Sequence, residues 1–242
     1  MDSITQSPPA VETRSLVKSF GNMKVLRGLE LKVEKGSTLA IFGPNGAGKT
    51  TLIKTLASVM RPTSGSIFIE GLDTKEHSIE IRAKTGLLAH QSFLYGALSA
   101  EENLTFYGKM YGIANLKDRV NEVLSSVGLA SRRYDRVATF SRGMQQRLSL
   151  ARAILHHPSL LLLDEPDTGL DPEGLAVMWD IIREEVPART VIFTSHNFER
   201  ALGVCDEVAV LIKGRIAYSS RSCRLTLDLL RDAYDACVGK NR

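Results

Sequence analysis

The 242 residues carry 31 Lys+Arg against 27 Asp+Glu, a formal charge of +4, with 43% hydrophobic and 24% charged residues. This is the composition of an ordinary globular protein that buries its core without cross-links, and the length allows one large domain but not two catalytic modules. The longest apolar runs are five residues, 175–179 and 208–212, against the roughly 18 a bilayer-spanning helix needs, so the chain is not expected to cross a membrane by itself.

Residues 1–10 are polar, contain Pro8 and Pro9, and lack the charged-then-apolar pattern of a signal peptide. They read as a loose N-terminal arm. Leu29, Leu31 and Val33 then alternate with charged residues as in a half-exposed strand. Thr38–Phe42, Leu160–Leu163, 191–194 and 208–212 are continuous apolar runs of strand length, the signature of strands buried on both faces. Between them, from Ser99 to His157, apolar residues follow helical spacing. Ser99 with Glu102 forms a capping box opening a helix that Gly112 ends. A second helix spans 116–127 and stops at Gly128, and a third spans 142–155 before Pro158. A last helix is expected at about 221–238. The pattern predicts an α/β fold with a mostly parallel sheet: a core at about 11–91 and 159–218, with a helical subdomain inserted at about 92–158. Cys205, Cys223 and Cys237 are odd in number and include no C-x-x-C pair, which fits reduced thiols in a cytoplasmic protein.

Gly43-Pro44-Asn45-Gly46-Ala47-Gly48-Lys49-Thr50-Thr51 contains G-x-x-x-x-G-K-[ST], directly after the strand Thr38–Phe42 and before a helical run over 49–60. Glycines let successive N–H groups converge on phosphate oxygens, and the helix N-terminus adds its dipole. Lys49 is positioned for the β- and γ-phosphates and the Thr50 hydroxyl for Mg²⁺. The run Leu160–Leu163 leads straight into Asp164 and Glu165. Such acids lie at the carboxyl end of a buried strand, where open α/β sheets bind ligands. Side chains alternate along a strand, so the two acids take different tasks: Asp164 holds Mg²⁺ through its water, and Glu165 polarises the water attacking the γ-phosphate. A strand-ending acidic pair can also cap the next helix; the phosphate loop favours the catalytic reading.

In this order and spacing, the two motifs together with Phe20, Gln91, Phe140-Ser141-Arg142-Gly143-Met144-Gln145-Gln146-Arg147, Asp167-Thr168-Gly169-Leu170-Asp171 and His196 resemble the ATP-binding-cassette ATPases over nearly the whole chain. The resemblance implies a P-loop NTPase (RecA-like) core with an N-terminal antiparallel β subdomain and an inserted α-helical subdomain. It implies that Phe20 stacks on adenine, that Gln91 completes the Mg²⁺ and water site, and that His196 contacts the γ-phosphate and holds Glu165. Ser141 and Gly143 would bind the γ-phosphate of ATP held by a second subunit, and Asp171 would contact that partner. A complete site then needs two copies, or a paired ATPase subunit. Ser141 is equally a good N-cap for its helix. Arg142 and Met144 depart from the usual signature, and Met144 lacks the amide hydrogen bonds of a glutamine.

A single cassette without a heptad insertion is similar to transporter subunits, docked on an integral membrane permease through Phe93, Leu94 and Tyr95 and peripheral on the inner face of the cell membrane. The segments 87–91 and 98–107 are similar to haem-exporter ATPases of cytochrome c biogenesis, the export reading placed first. Another small exporter, for drugs, lipids or polysaccharides, is the alternative. A nucleic-acid or regulatory cassette rests only on the pI of 9.0 and the cluster Arg132, Arg133 and Arg136, and no nucleic-acid partner is expected.

Overall fold

The computed structural model describes residues 7–170, 172–183 and 189–239. In chain order these form β1 (Val11–Phe20), β2 (Met23–Val33), β3 (Thr38–Phe42), α1 (Lys49–Leu56), β4 (Ser64–Ile69), β5 (Leu72–Asp73), α2 (Ser78–Lys84) and β6 (Thr85–Leu88). The helices α3 (Ala100–Met110), α4 (Leu116–Ser126) and α5 (Arg142–Ile154) follow. Then come β7 (Leu160–Leu163), α6 (Pro172–Arg183), β8 (Thr190–Thr194), α7 (Phe198–Leu202), β9 (Glu207–Ile212), β10 (Arg215–Arg221) and α8 (Leu227–Gly239).

The apolar runs become the middle of a six-stranded sheet of order β10-β9-β3-β8-β7-β6, parallel except for the edge strand β10. Alternation sends their side chains to two separate cores. Leu39, Ile41, Leu160, Leu162 and Ile192 pack on one face with Leu52, Ile53 and Leu56 of α1 and with residues of β1, β2 and β4. Phe42, Leu161, Leu163, Val191 and Phe193 pack on the other with α4, α5 and α6. The smaller antiparallel sheet, order β2-β1-β4-β5, covers α1 from outside.

Local signals set most helix ends. Glu102 N–H donates to Ser99 Oγ at 3.1 Å and Ser99 N–H to the Glu102 carboxylate at 2.7 Å, the expected capping box. Gly112 and Gly128 follow α3 and α4 in the left-handed conformation. The helix expected over 49–60 is shorter, because Ser58 turns to φ 55 and the Val59 and Met60 amides fold back on the Lys54 carbonyl. At the N-terminus, residues 1–6 lie outside the described residues, but Ala10 is buried and accepts from Glu70 N–H at 2.9 Å, so the end of the expected arm belongs to the small sheet. Two of the clustered arginines are paired with acids, Arg132 with Asp135 at 3.0 Å and Arg133 with Glu101 at 2.8 Å.

Candidate active site

The loop between β3 and α1 is held from behind as well as by its own sequence. A Cβ on Gly43 would lie 2.3 Å from the Leu211 carbonyl oxygen of β9, so only glycine fits where the loop leaves the sheet. Gly48 takes φ 107 as it opens α1. The turn after β9 leans on the loop: Gly214 N–H donates to the Ala47 carbonyl at 3.0 Å. Lys49 is buried and donates through Nζ to the Gly43 carbonyl at 2.7 Å. Burial holds its ammonium below the usual lysine range, against the opposing pull of the Glu165 and Asp164 carboxylates.

The loop opens on a cleft of about 510 Å³ lined by residues 44–51 with Phe20, Val25, Arg27, Lys213 and Glu165. Phe20 is 45% exposed at the end of β1, and the Lys18 ammonium lies 5.0 Å from its ring centroid, covering one face.

The acidic pair stands at the end of β7. Asp164 is 3% exposed and accepts from Thr194 Oγ1 at 3.0 Å. Glu165 has φ 49, a left-handed backbone uncommon for a residue with a side chain. Its N–H donates to the same Thr194 Oγ1 at 2.8 Å, and its Oε1 lies 2.8 Å from His196 Nε2. A small second cleft of about 120 Å³ touches Asp164 and Glu165 and is walled by His90, Ser92, Arg142 and Gln145.

The structure thus gathers Phe20, residues 44–51 and Glu165 around one opening, while His196 lines a neighbouring cleft with Asp167 and Asn197 and is joined to the first through Glu165 Oε1; Gly43 and Asp164 lie outside the lining of that opening. It does not bring Gln91 there. That side chain is exposed, and its neighbours His90 and Ser92 line the small cleft instead. Two residues on, Phe93 takes φ 54 and its carbonyl accepts the Tyr107 hydroxyl, tying the segment after β6 to α3. Ser141 caps α5, its Oγ accepting from Met144 N–H at 3.3 Å. Neither Ser141 nor Gly143 lines the phosphate-loop cleft. Asp171 lies outside the described residues. Arg142 follows the path left by a missing side chain, its Cδ 3.3 Å from where a Cβ on Gly169 would sit. Thr194 belongs to no motif in the sequence; its one signal is a hydroxyl at the end of a strand whose middle three residues are apolar.

Comparison with known proteins agrees with this geometry. The ABC transporter family pattern matches residues 26–168. The linearmycin resistance ATP-binding protein LnrL of Bacillus subtilis is 34% identical over 209 residues, 85% of this chain and 67% of that protein. The daunorubicin resistance ATP-binding protein DrrA3 of Streptomyces coeruleorubidus is 34% identical over 232 residues, 95% of this chain and 73% of that protein. Among solved structures, the dimeric, post-hydrolysis form of the cassette MJ0796 bound to ADP and Pi superposes with a TM-score of 0.80 at 23% identity, covering 88% of this chain and 98% of that one. Phosphate loop, acidic strand end and sheet order belong together for a shared reason, and the chain is a member of the ABC transporter family, an ATP-binding subunit that hydrolyses ATP.

Proposed function

We propose that two copies of this chain power export of a drug- or antibiotic-like cargo through a separate membrane permease. The observation that carries the two-copy reading is the separation of Ser141 and Gly143 from the phosphate-loop cleft of their own chain. In this reading each nucleotide lies between the loop of one copy and the α5 N-terminus of the other, where Ser141, Gly143 and the helix dipole meet the γ-phosphate. A cassette of this fold, MJ0796, has been seen as a dimer. Phe20 stacks on adenine with Lys18 behind it, and Lys49 meets the β- and γ-phosphates. Glu165, held by His196, polarises the attacking water.

The oxygen donors Thr50 and Asp164, a hydroxyl and a buried carboxylate, fit a hard cation such as Mg²⁺, whose part when bound is to neutralise phosphate charge. With Gln91 exposed, its share in that site is the weakest of the three. Loss of the γ-phosphate removes the bridge between the copies and lets them open.

Cargo is chosen by the permease, so relatives' names are the available support. LnrL and DrrA3 are named for resistance to linearmycin and daunorubicin, which favours the alternative exporter reading over haem export. Among the described residues no helix is long and apolar enough to cross a membrane. The chain is placed on the inner membrane face by its permease, against the surface around Phe93, Leu94 and Tyr95.

The deciding experiment is Glu165→Gln. It should keep ATP affinity, lose turnover by roughly 100-fold or more and accumulate as an ATP-bound dimer on size exclusion. Undiminished hydrolysis would remove Glu165 from the chemistry.

A further inference from the structure

Thr194 is fully buried at the end of β8, where the residues before it, 190–193, are packed in the core. β8 lies between the strand that opens the phosphate loop and the strand that ends in the acidic pair. Ile41 pairs with Thr194 on one side and Leu163 with Phe193 on the other. Thr194 therefore faces Asp164 across the strand ends. Its one hydroxyl has two partners there: it donates to Asp164 Oδ1 at 3.0 Å and accepts Glu165 N–H at 2.8 Å.

Strict alternation would send Asp164 and Glu165 to opposite faces of the sheet. The left-handed backbone at Glu165 breaks that alternation, an unfavourable conformation that persists only when its surroundings hold it. The Thr194 hydroxyl grips the peptide nitrogen of that residue. An apolar β-branched residue would fill the same space at this strand position, so the hydroxyl is surplus to packing.

We infer that Thr194 is a positioning residue for hydrolysis: its hydroxyl sets the Asp164 carboxylate and the Glu165 backbone together, so that Glu165 reaches both His196 and the phosphate-loop cleft. The inference rests on the reading of Glu165 as the group that polarises water.

Thr194→Val and Thr194→Ser, with Glu165→Gln as reference, test it. Thr194→Val should lower kcat by about 10- to 100-fold, as small misplacements of a catalytic group do. The affinity for a fluorescent ADP analogue measured without Mg²⁺ should stay within about two-fold, since Thr194 and Asp164 lie outside the lining of the phosphate-loop cleft and the change removes no uniform binding there. Thr194→Ser should recover most of kcat. Amide hydrogen exchange on the nucleotide-free protein gives a readout without turnover. In Thr194→Val the Glu165 amide should exchange faster, while the Asp164 amide, bonded to the Leu88 carbonyl at 2.8 Å, stays protected. Should valine not fold, Thr194→Cys, similar in size and a weak hydrogen bonder, replaces it under the same expectations. Wild-type kcat in Thr194→Val beside an inactive Glu165→Gln overturns the role of Thr194 alone. Wild-type kcat in both overturns the reading of Glu165 and the inference with it. Equal loss of protection at both amides would mean general loosening and overturn it too.

Discussion

His156 has surroundings that oppose its charge. Its ring stacks on Tyr111 at 3.9 Å, nearly parallel, Nε2 faces the Thr85 carbonyl at 3.2 Å, and Nδ1 is buried with no partner. Burial, with Arg152 and Arg119 nearby, pushes its pKa from 6.5 down to about 4. The folded protein then binds fewer protons than the unfolded chain between these values, so this contribution to stability is present above pH 6.5 and is lost as pH falls toward 4. Linkage puts the loss at about 2 kcal/mol between pH 7 and pH 5. Urea unfolding at the two pH values should show that difference shrink in His156→Phe, which keeps the stack and removes the titration. An unchanged pH dependence would place the charge penalty elsewhere. At the same scale, the Arg142 side chain in the segment that opens α5 lies along Gly169 within its own chain.

At the scale of elements, α3 fastens the segment that leaves β6. Asn103 is fully buried; its Oδ1 accepts Tyr95 N–H at 2.8 Å, and its Nδ2 donates to the Tyr95 carbonyl at 3.0 Å and the Ser99 carbonyl at 2.8 Å. One amide thus satisfies backbone groups that helix and strand leave over. Asn103→Leu, close in size, leaves the Tyr95 N–H without its acceptor, while the Tyr95 and Ser99 carbonyls keep the Leu98 and Asn103 amides at 3.1 and 3.0 Å; it should cost about 1–3 kcal/mol in urea unfolding, the cost of one buried unsatisfied group. A loss below about 0.5 kcal/mol, the scale of surface substitutions, would show water reaching the segment. Arg119 of α4 acts similarly at the end of α5, donating to the Ile154 and Leu155 carbonyls at 2.7 and 2.9 Å. It does so as a planar fork that lysine lacks, while also pairing with Glu122 at 2.7 Å.

At the scale of the whole molecule, the six-stranded sheet brings β3, β8 and β7 side by side, so that phosphate loop, Thr194 and His196, and the acidic pair share one edge. Ser141 and Gly143 belong to a different surface, which is what the two-copy proposal turns on. It predicts complementation. Lys49→Ala and Ser141→Arg should each be nearly inactive alone, because every site of either dimer carries one defect. Mixed dimers contain one site with both defects and one with neither, so mixing the two variants should restore measurable ATP hydrolysis. Mixtures no more active than their parents would mean that each chain's Ser141 serves its own nucleotide.

Features carried by consecutive residues were legible without coordinates. The phosphate loop, the acids after four leucines, the capping box of Ser99 and Glu102, and the glycines ending α3 and α4 all act through near neighbours, so spacing alone exposes them. The strands β4 and β5 and the helix α2 were not legible, because they are short and weakly periodic. Nor was the exposed position of Gln91, which no spacing in its own segment encodes. By itself the sequence determined which chemistry the chain carries and on which kinds of element. Tertiary structure decided which groups meet: β8 enters the sheet between β3 and β7 although it follows both in the chain. Strand order answers to burial on both faces of the sheet, a non-local condition, and only that order sets the Thr194 hydroxyl against Asp164 and Glu165.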